Sequence, residues 1–392
     1  MNSIYTMKNF VDYVDILDNK RVPINSNERE KIKGDIPYYG ATGQVDSINN
    51  YLFDEELVLL GEDGAPFMDS YKDKAYLING KSWVNNHAHV LRGKNGLLNK
   101  FLLYWLNIID YKEYVTGTTR LKLNQARMKN IKIPFPKTGE QKLIVEEIEK
   151  QLTRLEETSG SLKQTKQKLG IYKKAILKST FDKVFDRKDL IQLCDKITQG
   201  PNPKLKDYAG TPGNYVLKTK DFYNYNVLYE KCDLIGKELV QEWKNFILKD
   251  GDVIIGLVGV GSIGKINVFR EQPNKNYLFT RATGLIRPKK GVADPEYIHY
   301  FFLSSKGSKL IEKGIGGSTG QLVIKTSYLK GLEIPAPSFT EQQKIAQSIE
   351  DKLLVIDKIE QNINLSLVKA SSLKRSILKS AFEGKLVNLV AI

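Results

Sequence analysis

Histidine and cysteine are scarce in this chain of 392 residues, which contains three histidines and two cysteines. Cys194 and Cys232 are too few for a disulfide framework and would need histidines to complete a zinc site, so they indicate a reducing compartment. His87 and His89 stand two residues apart without a clear set of further metal ligands nearby. These shortages argue against a disulfide-stapled secreted domain, a zinc site and a hydrolase built on a histidine triad.

Long apolar runs are missing as well. No run approaches the roughly 18 residues that a membrane-spanning helix needs, and the N-terminus lacks the apolar core of a signal peptide. We therefore expect a cytoplasmic protein without a membrane partner. Positive charge is in excess, because 60 Lys and Arg against 45 Asp and Glu leave a net charge of +15. This balance favours a polyanionic partner, nucleic acid before membrane.

One stretch occurs twice and predicts the organisation of the chain. From Ile133 the sequence reads Ile-Pro-Phe-Pro-Lys-Thr-Gly-Glu-Gln-Lys, and from Ile334 it reads Ile-Pro-Ala-Pro-Ser-Phe-Thr-Glu-Gln-Gln. Each copy opens a charged run without proline, and the runs close on Ile-Leu-Lys-Ser-Thr-Phe and Ile-Leu-Lys-Ser-Ala-Phe. Glu341 lies 201 residues after Glu140, and the closing phenylalanines share that spacing. A repeat of this length without a gap indicates an internal duplication.

Each run predicts a long helix. The Ile-Pro-x-Pro segment is extended, because proline fixes its own φ and pushes the preceding residue out of the α region. Thr138 or Thr340 then offers an N-cap, and Glu140 or Glu341 falls in the first turn, where the helix dipole favours acids. Some forty residues would make a helix of roughly 60 Å.

Apolar residues along both runs are spaced mostly three, four or seven apart, as in a coiled-coil seam. The seam comprises Ile148, Leu152, Leu155, Leu162, Leu169 and Ile176 in the first copy and Ile349, Leu353, Ile356, Ile363 and Ile377 in the second. A stripe this narrow cannot be buried by one helix alone, so we expect the two helices to pair. Two unrelated surface helices are the alternative.

The predicted fold class is α+β: two mixed, β-rich α/β domains separated by two long pairing helices in a pseudo-twofold repeat. We place the boundaries at 1–137 for the first domain, 138–185 for the central helix, 186–337 for the second domain and 338–392 for the C-terminal helix. Apolar runs flanked by glycine-rich turns predict strands at 51–53, 57–60, 252–255 and 265–269. Shorter helices are expected at 100–109 and from 295 to about 312.

Two motifs look catalytic without being complete. The glycine-rich stretch from Gly259 lacks the Ser or Thr that follows the lysine of a phosphate-binding P-loop, and a strand-like run follows it. We interpret it as a hairpin or bulge turn. The sequence Asp294-Pro295-Glu296-Tyr297 is close to the Asp/Asn-Pro-Pro-Tyr/Phe motif of DNA adenine methyltransferases. A helix start with Asp294 as N-cap explains it better, so we predict no catalytic residue and no metal site in this chain.

The two β-rich domains, each followed by Ile-Pro-x-Pro, Glu-Gln and a helix ending in Ile-Leu-Lys-Ser, resemble the specificity subunit of a type I restriction–modification system. The resemblance covers essentially the whole chain. It implies a non-catalytic subunit whose domains each read one half of a bipartite, gapped DNA target in the major groove. It also implies that the two helices pair antiparallel and set the gap between the half-sites.

The same resemblance implies the partners and cofactors. Two methyltransferase subunits would dock on the helices and domains, and restriction subunits can join the complex. S-adenosylmethionine, ATP and Mg would bind to these partner subunits, so no cofactor is expected in this chain. The chain itself would bind double-stranded DNA.

Polar loop residues supply the candidate DNA contacts, because Lys and Arg neutralise phosphates while Asn, Gln, Arg, Ser and Thr read base edges. For the first half-site the candidates are Arg120, Lys122, Asn124 and Gln125, followed by Tyr39, Thr42, Asn85 and Asn86. For the second half-site they are Lys218, Lys220, Arg281, Ser318, Thr319 and Gln321. The alternative function is a non-enzymatic, basic coiled-coil scaffold that bridges proteins and binds DNA without sequence preference.

Overall fold

The computed structural model describes residues 4–202, 210–223, 226–317 and 322–387. Its contacts divide the chain into two compact units: Met1–Gln164 together with Asn362–Ile392, and Thr165–Gln361. Each unit combines one β-rich domain with parts of both long helices. Within the described residues, no helix combines the length and the apolarity that a membrane crossing requires.

Among its described residues, the first unit contains ten strands and four short or medium helices before the first long helix. The strands are β1 (Met7–Asn9), β2 (Val14–Ile16), β3 (Lys33–Gly40), β4 (Gly43–Ile48), β5 (Phe53–Asp54), β6 (Leu57–Gly61), β7 (Ala75–Ile78), β8 (Lys81–Val84), β9 (Ala88–Gly93) and β10 (Lys132–Pro134). The helices are α1 (Phe10–Tyr13), α2 (Ser26–Lys31), α3 (Asn99–Ile108), α4 (Gln125–Met128) and the N-terminal part of α5 (Thr138–Phe181).

Two four-stranded sheets organise this unit. The first has the order β2-β9-β6-β7 and is antiparallel throughout. Strand β6 lies inside it and is buried along its whole length, which explains its continuous apolar sequence. Helix α3 packs on β6 and β7. The second sheet has the order β4-β3-β8-β5, with β3 and β8 parallel.

The second unit follows the same plan. Its strands are β11 (Arg187–Asp189), β12 (Cys194–Gln199), β13 (Asn214–Leu217), β14 (Phe222–Tyr223), β15 (Asn226–Val227), β16 (Asp233–Leu234), β17 (Val253–Gly256), β18 (Ile266–Val268), β19 (Asn276–Phe279), β20 (Thr283–Pro288), β21 (Ile315–Gly316), β22 (Val323–Ile324) and β23 (Glu333–Pro335). Its helices are α6 (Lys237–Glu242), α7 (Pro295–Leu303), α8 (Ser305–Lys313), α9 (Thr326–Lys330) and the N-terminal part of α10 (Phe339–Phe382). The sheet β12-β20-β17-β18 corresponds to β2-β9-β6-β7 of the first unit.

Both copies of the Ile-Pro stretch are strands that close their own domain. Strand β10 pairs antiparallel with β1, with Ile133 opposite Lys8, and β23 pairs antiparallel with β11, with Ile334 opposite Lys188. Both isoleucines are fully buried. The proline ends each strand, where a missing backbone N–H interrupts no ladder. Each domain therefore begins and ends at one place, from which its long helix departs.

The two predicted long helices are confirmed, each 44 residues long. In the first unit, Ile148 and Leu152 of α5 share a hydrophobic cluster with Ile377 and Phe382 of α10. In the second unit the C-terminal part of α5 shares a cluster with the N-terminal part of α10. The pairing is antiparallel. Of the predicted seam residues, Ile148, Leu152, Ile176, Ile349, Leu353, Ile356, Ile363 and Ile377 are buried, and Leu155, Leu162 and Leu169 are half-buried.

A half-buried ion cluster accompanies the seam in the second unit. The Lys173 Nζ donates to Asp357 Oδ1 at 2.7 Å and to Glu360 Oε2 at 2.9 Å. These two hydrogen bonds raise the pKa of Lys173, although burial acts in the opposite direction and is the largest single contribution. A paired lysine at the seam fixes the register of the two helices within this unit.

Glutamine from each Glu-Gln pair ties its long helix to the domain before it. Gln141 is fully buried: its Oε1 accepts from Leu98 N at 3.0 Å, and its Nε2 donates to Pro136 O at 3.0 Å and to Gly96 O at 3.2 Å. Gln342 repeats this arrangement, accepting from Asp294 N and donating to the carbonyls of Pro337 and Val292. We call these two arrangements the glutamine clamps.

The predicted N-caps were wrong by one or two residues. Helix α5 begins at Thr138, whose Oγ1 donates to Gly96 O instead of capping. Helix α10 begins at Phe339, and Ser338 Oγ accepts from Glu341 N. In α5 the contact with Gly96 occupies the Thr138 hydroxyl. In α10 Ser338, two residues before Thr340, takes the capping role.

Two shorter predictions also need correction. The single helix expected from Pro295 is divided at Ser304, whose Oγ accepts from Gly307 N and starts α8. Of the strand expected at 51–53, only Phe53 belongs to a strand.

Candidate nucleic-acid interface

The polar loops of the first domain meet at one end of the sheet that contains β6. Leu123 N donates to Glu62 O at 2.7 Å, and Glu62 N donates to His87 O at 2.7 Å. Asn85 N donates to Tyr39 O at 3.0 Å. The loop at 116–125, the turn after β6, the turn between β8 and β9 and the end of β3 are thus connected through backbone hydrogen bonds.

His89 anchors these loops from below. The residue is fully buried, with Nδ1 2.6 Å from Asp18 Oδ2 and Nε2 2.8 Å from the Leu123 carbonyl. A carbonyl oxygen can only accept, so Nε2 carries a proton and the ring orientation is fixed. Burial raises the pKa of the Asp18 carboxyl, but the hydrogen bond and charge of His89, the Val90 amide and the Arg21 charge outweigh it, and the pKa is lowered.

Acidic side chains hold the predicted DNA-contacting residues in place. Arg120 Nη2 lies 2.8 Å from Asp63 Oδ1, and Lys122 Nζ lies 3.2 Å from Glu62 Oε1. Both cationic side chains are more than half exposed, whereas both carboxylates are mostly covered. Exposed ion pairs of this kind add little stability. Their effect is to orient the two cations at the surface.

Gln125 belongs to the same surface. Its Nε2 lies 3.3 Å from Asp18 Oδ2 while the residue remains exposed. Together with Arg120 and Lys122 it forms what we call the first reading surface. Thr42 and Asn86 are exposed residues of neighbouring turns.

Three other predicted contacts have a structural task. The Tyr39 ring packs against Tyr76, with the ring centroids 5.9 Å apart. Asn85 is buried, and its Oδ1 accepts from His87 N at 2.8 Å. Asn124 is the N-cap of α4 and accepts from Arg127 N at 2.9 Å. These side chains shape the loops, and DNA contact by them stays a prediction.

Asp18, Glu62 and His89 are the one group of described residues whose ligand atoms could converge on a metal ion, all lying within 4.8 Å of one another. Glu62 Oε2 accepts from Arg21 Nη1 at 2.8 Å, and both ring nitrogens of His89 have protein partners. The cationic side chains of Arg21 and Lys122 and the hydrogen bonds of His89 already satisfy this group. The residues therefore fit an ion network better than a metal site.

Cationic side chains of the second domain share one carboxylate. Lys218 Nζ and Lys220 Nζ lie 2.7 Å and 3.0 Å from the two Asp233 oxygens. The hydrogen bonds from Lys218 and Lys220 lower the pKa of Asp233. Thr219, between the two lysines, donates through Oγ1 to Ser262 Oγ at 3.3 Å, which brings both lysines beside the glycine-rich loop.

The remaining predicted contacts of the second domain are less connected. Arg281 is exposed in the turn before β20, and its carbonyl accepts from Gln199 Nε2 at 2.7 Å. Ser318, Thr319 and Gln321 lie outside the described residues. Beside that segment, Gly259 N donates to Leu322 O at 3.1 Å.

The motifs that looked catalytic have structural roles. Strands β17 and β18 on either side of the glycine-rich stretch pair antiparallel, so the stretch is a hairpin connection. A Cβ at Gly256 would come within 2.0 Å of Ser262 O, which explains the need for glycine there. Asp294 accepts from Tyr297 N at 2.9 Å as the N-cap of α7, with Pro295 in the first turn.

Sequence reasoning missed the acidic residues of the first reading surface. Asp18, Glu62 and Asp63 orient three candidate contacts, yet none was singled out. A glycine-flanked Glu-Asp pair directly after a buried strand was the available signal for Glu62 and Asp63. Asp18 gave no signal, because its partner His89 is 71 residues away.

Comparison with known proteins gives a consistent result. The family model described as the type I restriction modification DNA specificity domain matches residues 5–169 and 183–368. A putative type I restriction enzyme specificity subunit of Haemophilus influenzae is 28% identical, covering 91% of this chain and 89% of the relative. The EcoBI specificity subunit of Escherichia coli is 26% identical, covering 69% and 62%. A chain in a solved structure on complex assembly and conformational transition of the type I R-M system has TM-score 0.72 at 14% identity, covering 98% of this chain and 100% of that one.

Proposed function

The chain belongs to the family of type I restriction–modification DNA specificity domains. We propose that it is the subunit that determines which DNA sequence such a system recognises. Each β-rich domain reads one half of a bipartite, gapped target. The paired helices hold the two readers and define the gap between the half-sites.

The duplicated architecture is the observation that carries this proposal. Each unit has the same closing strand pair, the same four-stranded sheet and the same glutamine clamp, but the loops at the end of the sheet differ. A common frame with unlike loops suits the reading of two unlike half-sites. Half-sites about one helical turn apart, roughly 34–36 Å, are within reach of two helices of this length.

The first reading surface supplies the contacts of the first half-site. Arg120 and Lys122 exchange their carboxylate partners for phosphates or base edges, and Gln125 presents an amide that can pair with adenine. In the second domain Lys218, Lys220 and Arg281 perform the corresponding task. Ser318, Thr319 and Gln321 stay candidates on sequence grounds.

We further propose that the chain is non-catalytic. The glycine-rich stretch is a hairpin, Asp294 is a helix cap and His89 anchors a loop, so each group that suggested chemistry has another role. S-adenosylmethionine, ATP and Mg bind to the partner subunits in this proposal.

Exposed apolar side chains on α10 offer docking surfaces for methyltransferase subunits. They are 40% to 63% exposed, and clustered apolar surface marks interaction sites. The second unit carries Leu354, Val355 and Ile359, and the first unit carries Leu365, Val368 and Leu373. One such set in each unit supports two methyltransferase subunits, with restriction subunits joining the same complex.

Strand-resolved mapping of methylated adenine tests the function directly. Genomic DNA is compared between cells with this gene intact and cells with it deleted. We expect one gapped, asymmetric motif to lose methylation on deletion and to regain it on complementation. Methyltransferase subunits should also co-purify with the chain.

Two results would contradict the proposal. Methylation that does not change while an expressed methyltransferase co-purifies would exclude the specificity role. DNA binding that bulk DNA competes away as well as any gapped sequence would favour the scaffold function instead.

A further inference from the structure

A groove between the two long helices of the second unit is lined by three lysines and three hydroxyls. Its volume is about 450 Å³. The lining residues are Ser179 and Thr180 in the last turn of α5, Lys183 just beyond it, and Lys344, Ile345, Ser348 and Lys352 on α10. We call it the lysine groove. None of its residues is among the candidate DNA contacts predicted from the sequence.

The lysines of this groove have no counterion among the described residues. Lys183, Lys344 and Lys352 are exposed and take part in no ion pair or hydrogen bond within that part of the chain. The adjacent acids point to other partners, since Asp182 pairs with Lys306 at 3.1 Å and Asp351 accepts from Gln347 at 2.9 Å. Three like charges are thus held together without neutralisation.

The spacing on α10 makes one continuous face. Lys344, Ser348 and Lys352 are four residues apart, so they follow one side of the helix. They span about 12 Å, which corresponds to three or four nucleotides of one DNA strand at about 3.4 Å each.

The internal repeat shows that this groove is not part of the common frame. At the positions 201 residues away, Lys344, Ser348 and Lys352 correspond to Leu143, Glu147 and Gln151, and Lys183 corresponds to Gly384. The first unit therefore has an apolar residue, an acid and an amide in place of the lysines and serine on the equivalent helix face. Helix pairing alone does not require the groove, because the repeat pairs its helices without it.

We propose that the lysine groove binds phosphates of the DNA backbone, adding a sequence-independent contact from the helix pair in one unit only. Lysine and hydroxyl side chains are typical phosphate contacts in protein–DNA complexes. Protein–protein interfaces are instead depleted in lysine and enriched in aromatic residues and arginine, none of which lines the groove. The proposal rests on the DNA-binding function of the chain.

The test compares two triple variants of the full chain, purified with the subunits it assembles with. The groove variant carries Lys183→Gln, Lys344→Gln and Lys352→Gln. The control variant carries Lys168→Gln, Lys174→Gln and Lys358→Gln, which removes the same charge from exposed positions of the same helices and unit.

Binding is measured by fluorescence anisotropy over a series of salt concentrations. One labelled duplex carries the gapped motif found by methylation mapping, and the other has both half-sites scrambled. Each lysine–phosphate contact contributes about 0.9 to the slope of log K against log salt. We expect the groove variant to lose about 2.7 from the slope on both duplexes and to bind about tenfold or more weakly at low salt. The control should retain most of the wild-type slope.

Two outcomes overturn the proposal. If the groove variant has the same slope as the control, the groove holds no DNA. If its DNA slope is retained but a co-purifying subunit is lost, the groove binds an acidic protein surface. Equal affinity of the wild type for both duplexes would contradict the proposed function instead. The groove comparison remains decisive in that case, because it can be made on the scrambled duplex.

Discussion

Replacing the clamp glutamines by leucine tests how each long helix is attached to its domain. In Gln141→Leu, the partly buried Leu98 amide and the buried Pro136 carbonyl lose the partners they have at 3.0 Å, whereas Gly96 O keeps Thr138 Oγ1. A buried polar group left unsatisfied costs about 1–3 kcal/mol. Two such groups predict a loss of roughly 4 kcal/mol in the free energy of unfolding.

The repeat supplies an internal replicate. Gln342→Leu leaves Asp294 N, Pro337 O and Val292 O without their partners. Val292 is exposed, so water can replace the third partner, and the variant should cost its own unit a similar amount. For a unit of this size, about 4 kcal/mol corresponds to a decrease of roughly 8–16 °C in Tm. The matched control is Gln347→Leu on the exposed face of α10, which removes one surface hydrogen bond and should stay within about 0.5 kcal/mol.

Chemical denaturation and amide hydrogen exchange measure the effect. We expect the Leu98 amide to lose protection in Gln141→Leu, and the Asp294 amide to lose protection in Gln342→Leu, each without the other. A clamp variant no less stable than the control would refute the reasoning, as would unchanged exchange at Leu98. The clamp would then be a consequence of the fold and would not stabilise it.

Three further predictions concern the core, the buried ion network and the reading surface. Phe382→Ala removes a buried ring that packs on two aromatic residues of α3, so denaturation should show a loss of about 3–5 kcal/mol, against little change for the exposed control Val368→Ala. Asp18 has a lowered pKa in the folded state, so its stabilisation is fully present above the unfolded-state pKa of about 4 and is lost as the pH falls through the folded-state pKa. The difference in unfolding free energy between wild type and Asp18→Asn should therefore shrink over that acidic range. A constant difference would contradict the ion network. Gln125→Ala should cost about 1–3 kcal/mol at one base pair, whereas Lys122→Ala should weaken binding to all sequences and lower the salt slope by about 1; equal losses on every sequence for both variants would remove Gln125 from base reading.

The scaffold could be predicted from sequence because its signals are local and repeated. The seven-residue spacing of apolar residues can be recognised within a single helix. The constant offset of 201 residues then identified the two copies as partners. Helix starts were less accurate, because Thr138 is used by a contact with Gly96, 42 residues earlier. The division at Ser304 has a local cause, since its Oγ caps a second helix that the apolar pattern does not separate from the first.

The reading surface was only partly predictable, because its organisation depends on residues far apart in the chain. The 116–125 loop was identified as polar and exposed, but its position is fixed by His89 and Asp18. His89 and Asp18 are 71 residues apart, so no periodic pattern in the sequence indicates that they are in contact. The three candidates beyond the described residues, Ser318, Thr319 and Gln321, still depend on the sequence pattern alone.

Strand β9 and its counterpart β20 show how one frame serves two different readers. The fifth residue of each strand is an arginine paired with an acid: Arg92 with Asp15 at 2.9 Å, and Arg287 with Asp252 at 2.6 Å. The second residue differs, because His89 faces Leu60 in the first sheet where Gly284 faces Ile255 in the second.

The arginine end of each strand leads into the segment that bonds to the clamp glutamine, 96–98 after β9 and 292–294 after β20. The other end follows the polar loops. A glycine cannot hold a loop as His89 holds Leu123, so the second domain must position its loops by other contacts, such as the hydrogen bond between Thr219 and Ser262. Within this pair of corresponding strands the divergence lies at the end next to the loops, where a reader can change without altering the contacts at the arginine end.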